Sequence, residues 1–540
     1  MGAGVYYDHF GDGIVNTFDK NGSFGLTTTI SDAPATVGVD DAPRYTGISD
    51  IPASITPAGP TGPFPVQPPT ADQLGGFAIY WGLDDKLKTP YSYGFDLSFS
   101  RELKSGFVFE AAYVGRLGRR LLQEKDSMQP LNLFDPKSKI SYFNAATQLA
   151  KLAEAGTDIS QIPAIAYWEN LFPTAATASG GPTFADMGNF LGCGAPNSTN
   201  LTSLTASQAM YDSYFCNLHN ETTSLFFADV LGFPAFPTVN GADGANGKFA
   251  YYQSQWASLY AWTSGGRSNY NALQLMLRHN VTHGLSWDFN YVYSKSIDFT
   301  SDAERVNLFE GYGFGGGQVI NAFSPGQMRG VSDFDMTHQL NTSWVYELPF
   351  GRGKKWGAGW NRGLDAIIGG WSWSGLGRWT SGLPFIVQNG FDFPTNWELN
   401  GFAALNGPAP KTGVFTDCDG DPNMFAGLVA NSSLCSNFSQ GDFVAAHWRF
   451  PHPGESGSRN NIRGQGLFGI DMALRKTWSV TERAKLAFSW QVYNVTNSVR
   501  FDAANSGVQN TFLDSAGSFG KYSNTLTRPR VMEFALRVSF

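Results

Sequence analysis

The last ten residues of the chain, Val531 to Phe540, carry its most constraining pattern. Every second residue, at the even-numbered positions, is apolar, and the residues at the odd-numbered positions are mostly polar or small. The apolar positions are Met532, Phe534, Leu536, Val538 and Phe540. Because the side chains of a strand alternate between two faces, the pattern predicts a strand with one apolar and one polar face. The fold must therefore give such a strand an apolar surrounding on one side and a polar one on the other.

The same alternation recurs along the chain and predicts about ten strands, counting the last one. The clearest examples cover 91–99, 272–278, 285–294, 339–348, 470–475 and 485–492. Less regular candidates cover 2–8, 106–115 and 370–380. Each of these strands is long enough to cross a bilayer at a tilt.

Short and long connections alternate between these strands. The short ones are 102–106, 280–284 and 479–483, and the 348–370 link is intermediate. The long ones are 9–90, 116–268, 298–336, 381–467 and 495–529. In an antiparallel sheet all the long connections then lie at one end, as in outer-membrane barrels with short periplasmic turns and long external loops. The pattern predicts an all-β transmembrane antiparallel β-barrel wall in the cell outer membrane, with a large extracellular loop region at 116–268.

Composition narrows the class of protein further. Only 15% of the 540 residues are charged, against about 25% in a typical soluble protein. The mean hydropathy of -0.20 and the lack of a run of about twenty apolar residues argue against a helical membrane protein. The net charge of -8 argues against nucleic acid as the main partner.

A secreted soluble β-sandwich also alternates apolar and polar residues. It does not explain why the long connections share one end. It also does not explain aromatic residues near strand ends, such as Tyr91, Tyr293, Tyr346 and Trp478, which the interfacial girdles of a membrane barrel require.

The four cysteines form two local pairs, Cys193 with Cys216 and Cys418 with Cys435, in polar loop segments. In an oxidising compartment these pairs predict two loop disulfides, with free thiols as the alternative. A zinc site is disfavoured because neither pair has CxxC spacing or histidines in ligand register.

Several motifs have some features of binding sites, but their sequence context favours loops. Asp417, Asp419 and Asp421 alternate as calcium ligands can, but Pro422 follows where an EF-hand loop needs glycine, so we expect a solvated acidic loop. The glycine-rich 311–318 segment precedes no helix and is interpreted as an external loop rather than a phosphate site. His279 and His283 flank a turn, and we expect them to face water.

We see no nucleophile–base arrangement and no carboxylate dyad, so the sequence predicts neither catalysis nor a cofactor. Helical spacing of Leu149, Leu152 and Ala155 predicts a short helix at 144–155. The loops also hold ten aromatic side chains, which either bind ligand or pack the loops. They are Trp168, Phe172, Tyr211, Tyr214, Phe215, Phe226, Phe227, Phe391, Phe393 and Trp397.

The polar parity of the strands carries charged and amide side chains that a water-filled or plugged lumen requires. We expect them to face the barrel interior. They are Asp96, Glu110, Asp288, Asn290, Gln339, Asn341, Glu347, Asp471, Arg475, Gln491, Glu533 and Arg537.

The chain also resembles a known family. Its last strand resembles the C-terminal strand of bacterial outer-membrane barrels, whose final aromatic residue is read by the barrel-assembly machinery. Four blocks together resemble the C-terminal barrel portion of Oar-like TonB-dependent receptors of acidobacteria. They are YNALQLMLRHNVTHGLSWDFNYVYSKSID at 270–298, SDFDMTHQLNTSWVYELPFGRGKKW at 332–356, GGWSWSGLGRWTSGLPF at 369–385 and ERAKLAFSWQVYNVTNSVRF at 482–501.

This resemblance implies a function and a set of partners. The family's barrel has about twenty-two strands around a plug, so about ten strands imply a partial barrel, with the plug and the N-terminal regulatory-like domain absent. The implied partners are outer-membrane lipid, the assembly machinery acting on Phe534, Leu536, Val538 and Phe540, TonB through the missing plug region, and an unknown extracellular ligand. The implied activity is ligand capture and TonB-energised import, and the alternative is a structural or adhesive barrel that transports nothing.

Overall fold

The computed structural model describes residues 1–9, 78–128, 133–173, 204–216, 256–282, 284–301, 318–390, 401–428, 435–503 and 517–540, with a few isolated positions between them. Ten long strands, which we call the wall, run through it in chain order. They are β1 (Gly2–Tyr7), β2 (Tyr91–Glu102), β3 (Phe107–Asp126), β4 (Trp256–Thr282), β5 (Leu285–Asp298), β6 (His338–Glu347), β7 (Trp371–Thr380), β8 (Phe468–Ser479), β9 (Lys485–Tyr493) and β10 (Val531–Ser539).

Each wall strand pairs antiparallel with the next one along the chain, so spatial order equals sequence order. Within the described residues β1 and β10 form the two ends of this path. The architecture confirms the predicted all-β fold with a large antiparallel sheet. It also contains every strand that the alternation predicts, including the less regular ones at 2–8, 106–115 and 370–380.

The register gives the wall two chemically different faces. Asp288 pairs with Ser343, Ser343 with Leu376, and Leu376 with Asp471. These residues therefore lie on the same face of the sheet, which carries the polar positions of the strands. The opposite parity is apolar, and its side chains are exposed: Phe534 is 68% and Leu536 is 65% exposed. We call the polar side the inward face and the apolar side the outward face. Such exposure is expected where lipid rather than water covers the surface.

The inner end of the wall holds the short turns. Ser105, in the 3-10 turn Lys104–Gly106, joins β2 to β3 with a positive φ of 67°. The intermediate link between β6 and β7 contains helix α4 (Arg362–Ile368), numbered after three helices of the outer end. Carbonyl oxygens in its last turn accept hydrogen bonds from Lys476, Trp371 and Trp478 on the outward face. These bonds satisfy the backbone groups that a helix C-terminus leaves unpaired.

The outer end holds the long connections, whose described parts we call the cap. β3 and β4 extend past their neighbours, so the connection between them covers 127–255 and is shorter than the predicted 116–268 region. The short strand Ala78–Leu83 pairs parallel to the extension of β4, and Gln318–Val319 pairs parallel to that of β3.

Four helices belong to the cap. They are α1 (Tyr142–Glu154), α2 (Ala166–Leu171), α3 (Ala206–Cys216) and α5 (Asn437–His447). The helix predicted at 144–155 is confirmed as α1. Ser141 caps its N-terminus by accepting a hydrogen bond from the Asn144 amide at 3.4 Å, and Gly156, with a φ of 62°, follows its end.

The small two-stranded sheets of the chain lie outside the wall. They pair Phe134–Asp135 with Ile140–Ser141, Pro384–Phe385 with Ile462–Arg463, Ala404–Leu405 with Trp448–Arg449, and Thr412–Thr416 with Pro422–Phe425. The strand Gly330–Val331 pairs with the outer end of β5, and the 3-10 turns Ile159–Gln161 and Pro325–Met328 complete the cap.

Three apolar cores stabilise the described part of the cap, and the smallest consists of Tyr260, Val319, Ile320, Met328 and Phe402. The first lies between α1, α2 and α3 and includes Tyr142, Leu149 and Trp168, all fully buried. The second joins the 381–467 connection to the 495–529 connection around Phe425 and Trp448. The cap therefore buries its apolar side chains as a water-soluble domain does.

In the described part of the chain, no helix combines the length and the apolar character needed to cross a membrane.

Candidate functional site: the inward face and its cap

The inward face brings together the polar side chains that the sequence assigns to a lumen. The register places all twelve on this one side of the wall, from Asp96 on β2 to Glu533 and Arg537 on β10. The path of pairs is continuous, because Asp96 lies opposite Val114, which lies opposite Ala272 on β4. What their side chains contact in function stays a prediction.

A groove of about 380 Å³ lies on this face between β5 and β9. Small side chains such as Ser343, Ser374 and Ala473 form its floor, and Asp288 and Asp471 lie at its sides. Small floor residues leave room for another segment or a ligand to approach the sheet, and the carboxylates give the groove a negative character.

Both carboxylates of the groove are held in place by neighbours. Arg278 donates to Asp288 with an Nε–Oδ1 distance of 2.9 Å, and the backbone N–H of Asn494 donates to Asp471 with an N–Oδ1 distance of 2.7 Å. Each carboxylate keeps a second oxygen that can accept further hydrogen bonds. The groove is therefore preorganised to meet donors.

A buried charge cluster fastens the cap to the outer end of the wall. The Arg459 side chain is 1% exposed and donates to Asp298 at the end of β5 at 2.6 Å. Its second terminal nitrogen donates to Asp333 at 2.8 Å and to Ser301 at 2.8 Å. Nearby, Arg463 donates to the buried Asp335 at 2.5 Å. These bonds fasten the 381–467 connection to the outer end of the wall, on the side of its inward face.

Two buried carboxyl groups lie where the outer extension of β3 passes under the cap, beyond the membrane-spanning part of the strand. Burial raises the pKa of Glu124 to about 8, with a smaller upward influence from Asp126. Burial likewise raises the pKa of Asp126 to about 6, although it accepts hydrogen bonds from Met128, Leu259 and Ser258. The pKa of Glu124 therefore keeps that side chain protonated near neutral pH.

The acidic loop around Asp417 contains its own cation. The Lys521 ammonium lies 2.6 Å from Asp419, 3.3 Å from Asp421 and 3.6 Å from Asp417. These carboxylates raise the pKa of Lys521, chiefly through the hydrogen bond to Asp419. Asp417 is buried while Asp419 and Asp421 are exposed, so the loop expected to be solvated is only partly so, and its lack of calcium stays a prediction. Beside this loop, Cys418 and Cys435 form a disulfide with a Cα–Cα distance of 4.9 Å.

Some predicted residues lie outside the described part of the chain. Cys193 is among them, so the pairing of Cys193 with Cys216 at the end of α3 stays a prediction. The same applies to most of the glycine-rich 311–318 segment and to His283. Five of the ten loop aromatics also lie outside: Phe226, Phe227, Phe391, Phe393 and Trp397.

The expectation that His279 faces water is wrong. Its ring is buried, with Nδ1 2.9 Å from the Leu285 carbonyl and Nε2 3.0 Å from the Ser105 carbonyl. Ser105 belongs to the neighbouring β2–β3 turn, so the histidine links two inner turns. The sequence shows only one of these turns beside it, which is why its burial was missed.

The loop aromatics that the structure describes pack the cap. Trp168, Phe172, Tyr211 and Tyr214 are at most 1% exposed, and Phe215 packs against the same core. The Trp168 ring lies 6.1 Å from that of Tyr142 and 5.8 Å from that of Tyr214. This favours loop packing over ligand contact for these five side chains.

The Arg459 cluster is the feature that sequence reasoning missed. Its carboxylates lie more than 120 residues from Arg459 in the chain, so no local pattern shows that they pair with it. The only local signal is the SRNNIR run at 458–463, whose arginines and asparagines follow a loop rather than a strand.

A family model described as outer membrane beta barrel domain matches residues 1–533. No curated protein matches the chain.

The solved structures with partial similarity include those of three bacterial proteins. The outer membrane transporter YddB of Escherichia coli has a TM-score of 0.32 and 10% identity, covering 86% of this chain and 34% of that one. FpvA of Pseudomonas aeruginosa, solved bound to pyoverdines, has a TM-score of 0.29 and 9% identity, covering 86% and 29%. The ferric enterobactin receptor PfeA of Pseudomonas aeruginosa has a TM-score of 0.30 and 10% identity, covering 85% and 32%. The chain spans about a third of the length of these proteins.

Proposed function

Since the chain belongs to the outer membrane beta barrel domain family, we propose that it is the barrel portion of a TonB-dependent receptor that captures an external ligand and imports it. The observation that carries the proposal is the one-sided construction of the molecule. Every long connection lies at the outer end of the wall and contributes to a folded cap, while the inward face below it is polar. The blocks at 270–298, 332–356, 369–385 and 482–501 support the Oar-like type.

In this proposal the cap selects the ligand and the inward face meets the plug that blocks the lumen. Plugs carry backbone and side-chain donors, and the groove between Asp288 and Asp471 presents carboxylate acceptors at fixed positions. TonB acts on the plug region, so it contacts this chain only indirectly. No step of import requires catalysis by the chain, and we expect no enzymatic activity.

Assembly into the membrane would use the last strand. The outward residues Phe534, Leu536 and Val538 of β10 are 61% to 68% exposed, and Phe540 is fully exposed. We propose that Phe534, Leu536, Val538 and Phe540 are read by the barrel-assembly machinery, and that lipid then covers them.

The test is uptake in the native host. Radiolabelled probes of four classes, a ferric siderophore, an oligosaccharide, cobalamin and a peptide, are offered to wild-type cells, to cells lacking the gene and to cells lacking TonB. We expect one class to accumulate in wild-type cells only. The double change of Asp288 and Asp471 to asparagine should lower uptake of that class while leaving the amount of folded barrel unchanged.

A non-transporting structural or adhesive barrel remains the second candidate, because the cap has its own apolar cores and presents a defined surface. Loss of surface adhesion in cells lacking the gene, with uptake of all four probes unchanged, would establish this second function and refute import.

A further inference from the structure

Helix α4, in the link between β6 and β7, carries three exposed apolar side chains. Leu364 is 37%, Ile367 is 71% and Ile368 is 43% exposed. Their spacing of three and four residues places them along one side of the helix. A helix on a water-facing surface carries polar side chains on its exposed side. This apolar stripe of α4 therefore needs a cover other than water.

The last turn of α4 is fixed to the wall by three side chains. The indole nitrogens of Trp371 and Trp478 donate to backbone carbonyl oxygens of this turn at 2.8 Å each. Lys476 donates to a third carbonyl oxygen at 2.9 Å, and its ammonium lies 5.7 Å from the centre of the Trp371 ring and 5.4 Å from that of Trp478. These bonds give the helix a defined position on the wall.

The three donors belong to the outward face. Trp371 pairs with Lys476, and Lys476 pairs with Phe488. Phe488 in turn pairs with Leu536, which is 65% exposed. Trp478 lies two residues beyond Lys476 on β8 and so points to the same side. The helix is therefore outside the wall at its inner end, beside tryptophans in the positions that membrane interfaces favour.

The turn before α4 also holds the helix. Asn361 accepts a hydrogen bond from the Leu364 amide at 2.8 Å and so caps the helix N-terminus. The Asp365 carboxylate accepts a hydrogen bond from the Arg352 amide at 2.7 Å, which joins the helix to the GRGKKW turn at 351–356. The apolar stripe is thus presented by an element with hydrogen bonds at both ends.

This turn and the start of α4 contribute positive charge. Trp356 is half exposed, and the Lys355 ammonium lies 5.2 Å from the centre of its ring. Lys354 pairs with Glu347 at 2.9 Å. The other cations of the link are exposed, and they are Arg352, Lys355 and Arg362. Apolar side chains beside exposed cations and a tryptophan are typical of helices that lie in a lipid headgroup region.

We propose that α4 is an interfacial helix that lies in the inner leaflet of the outer membrane. Leu364, Ile367 and Ile368 enter the apolar part of this leaflet, and the exposed cations of the link lie near the lipid phosphates. Continuity with the lipid-covered outward face selects phospholipid over a protein partner, because the last turn of the helix is bound to that face. The helix then sets the depth at which the inner end of the wall lies in the membrane.

The experiment measures where α4 lies when the full chain is in a membrane. Folded protein extracted from outer membranes is placed in vesicles of phosphatidylethanolamine and phosphatidylglycerol, with a nitroxide spin label on Ile367→Cys. Collisions of the label with oxygen, which concentrates in lipid, and with a water-soluble nickel chelate give a ratio that reports depth. The wild type taken through the same labelling gives the background from the native cysteines.

Two reference variants carry the label at Leu275→Cys, on the lipid face of β4, and at Ala358→Cys, in the exposed turn before α4. We expect the oxygen-to-nickel ratio at Ile367 to be several-fold above the ratio at Ala358 and to approach the ratio at Leu275. Heat-modifiable gel mobility reports whether each variant is folded. If the Ile367 variant fails to fold, a label on Ile368→Cys should give the same result.

The role of the cations is tested by adding Lys355→Gln and Arg362→Gln to the labelled Ile367 variant. The ratio at Ile367 should fall, because fewer cations are then attracted to the anionic headgroups. A matched control, Arg475→Gln with Lys485→Gln, removes the same charge from the inward face and should leave the ratio unchanged.

Three results would overturn the proposal. A ratio at Ile367 equal to the ratio at Ala358 would place the helix in water. Low collision rates with both reagents in isolated native outer membranes, together with high oxygen collision rates in the phospholipid vesicles, would show that a protein covers the stripe. An unchanged Ile367 ratio after the two charge changes in the link would refute the phosphate contacts.

Discussion

The wall and the cap belong to one chain and handle apolar side chains in opposite ways. In the wall, β10 leaves Phe534 68% exposed, while in the cap Trp168 is completely buried. Each wall strand contributes only alternate residues to its apolar face, whereas the cap collects aromatics from distant segments into closed cores. The contrast shows that the two regions fold against different solvents. The apolar side chains of the wall are covered by lipid and need no protein core, whereas those of the cap would face water and are buried in cores instead.

The charged groups follow the same division. In the paired segments of the wall, apart from the outer extension of β3, every aspartate and glutamate lies on the inward face. The cap instead buries charges and satisfies them internally, as Arg459 shows. The two regions should therefore respond differently to the same kind of substitution, and four changes test this.

The largest effect is expected where the two regions meet. Arg459→Gln removes the cation from a buried cluster and leaves Asp298 and Asp333 facing each other, which should cost about 3 to 5 kcal/mol in the stability of the cap. Hydrogen exchange should then rise across 318–335 and 381–467 and stay unchanged in β8 to β10. Arg378→Gln, on the exposed inward face, serves as the control. Equal exchange in both variants would mean that the cap is held by other contacts.

A nearly equal effect is expected inside the cap. Trp168→Ala leaves a cavity among Tyr142, Tyr167 and Tyr214 and should destabilise the first core by roughly 3 to 5 kcal/mol. Limited proteolysis of intact cells should cut the 127–255 connection faster, with folded barrel unchanged. Loss of barrel assembly in the same variant would contradict the expectation that the wall folds without this core of the cap.

A smaller effect is expected in the wall, where the cost of an added charge should depend on the face that carries it. Leu275→Arg places a charge on the lipid side of β4 and should cost about 2 to 4 kcal/mol near the bilayer centre. Gln274→Arg, one residue away on the inward face, should cost little because the lumen is polar. Urea unfolding in vesicles of a fixed lipid measures both. Similar costs at the two positions would contradict the assignment of the faces.

The smallest effect depends on pH. The folded cap raises the pKa of Glu124 to about 8, above its ordinary value of 4.5, so the folded state holds a proton that the unfolded chain releases. Stability from this group is full at acidic pH and is lost as the pH rises towards and past 8. Thermal unfolding of the cap at pH 5, 7 and 9 should show a steady decrease, which Glu124→Gln should flatten. Asp126 acts in the same direction at lower pH. A cap that becomes more stable with pH would refute the assignment.

Predictability from sequence divides between local patterns and contacts that join distant segments of the chain. Alternation identifies the ten wall strands and their faces, because a strand's period of two is a local property that needs no partner. In the cap, the helix over Tyr142–Glu154 is local and was predicted. The burial of His279 and the partners of Arg459 were not, because each depends on a segment far away in the chain.

The sequence alone determined the wall. The alternation, the one-sided connections and the final aromatic strand suffice, because every strand with one face in lipid needs the same alternation of apolar and polar residues. Only the tertiary structure decided how Arg459 fastens the cap and how Lys521 joins the acidic loop. Those arrangements depend on the register between strands and on contacts between distant loops, and no local pattern encodes either.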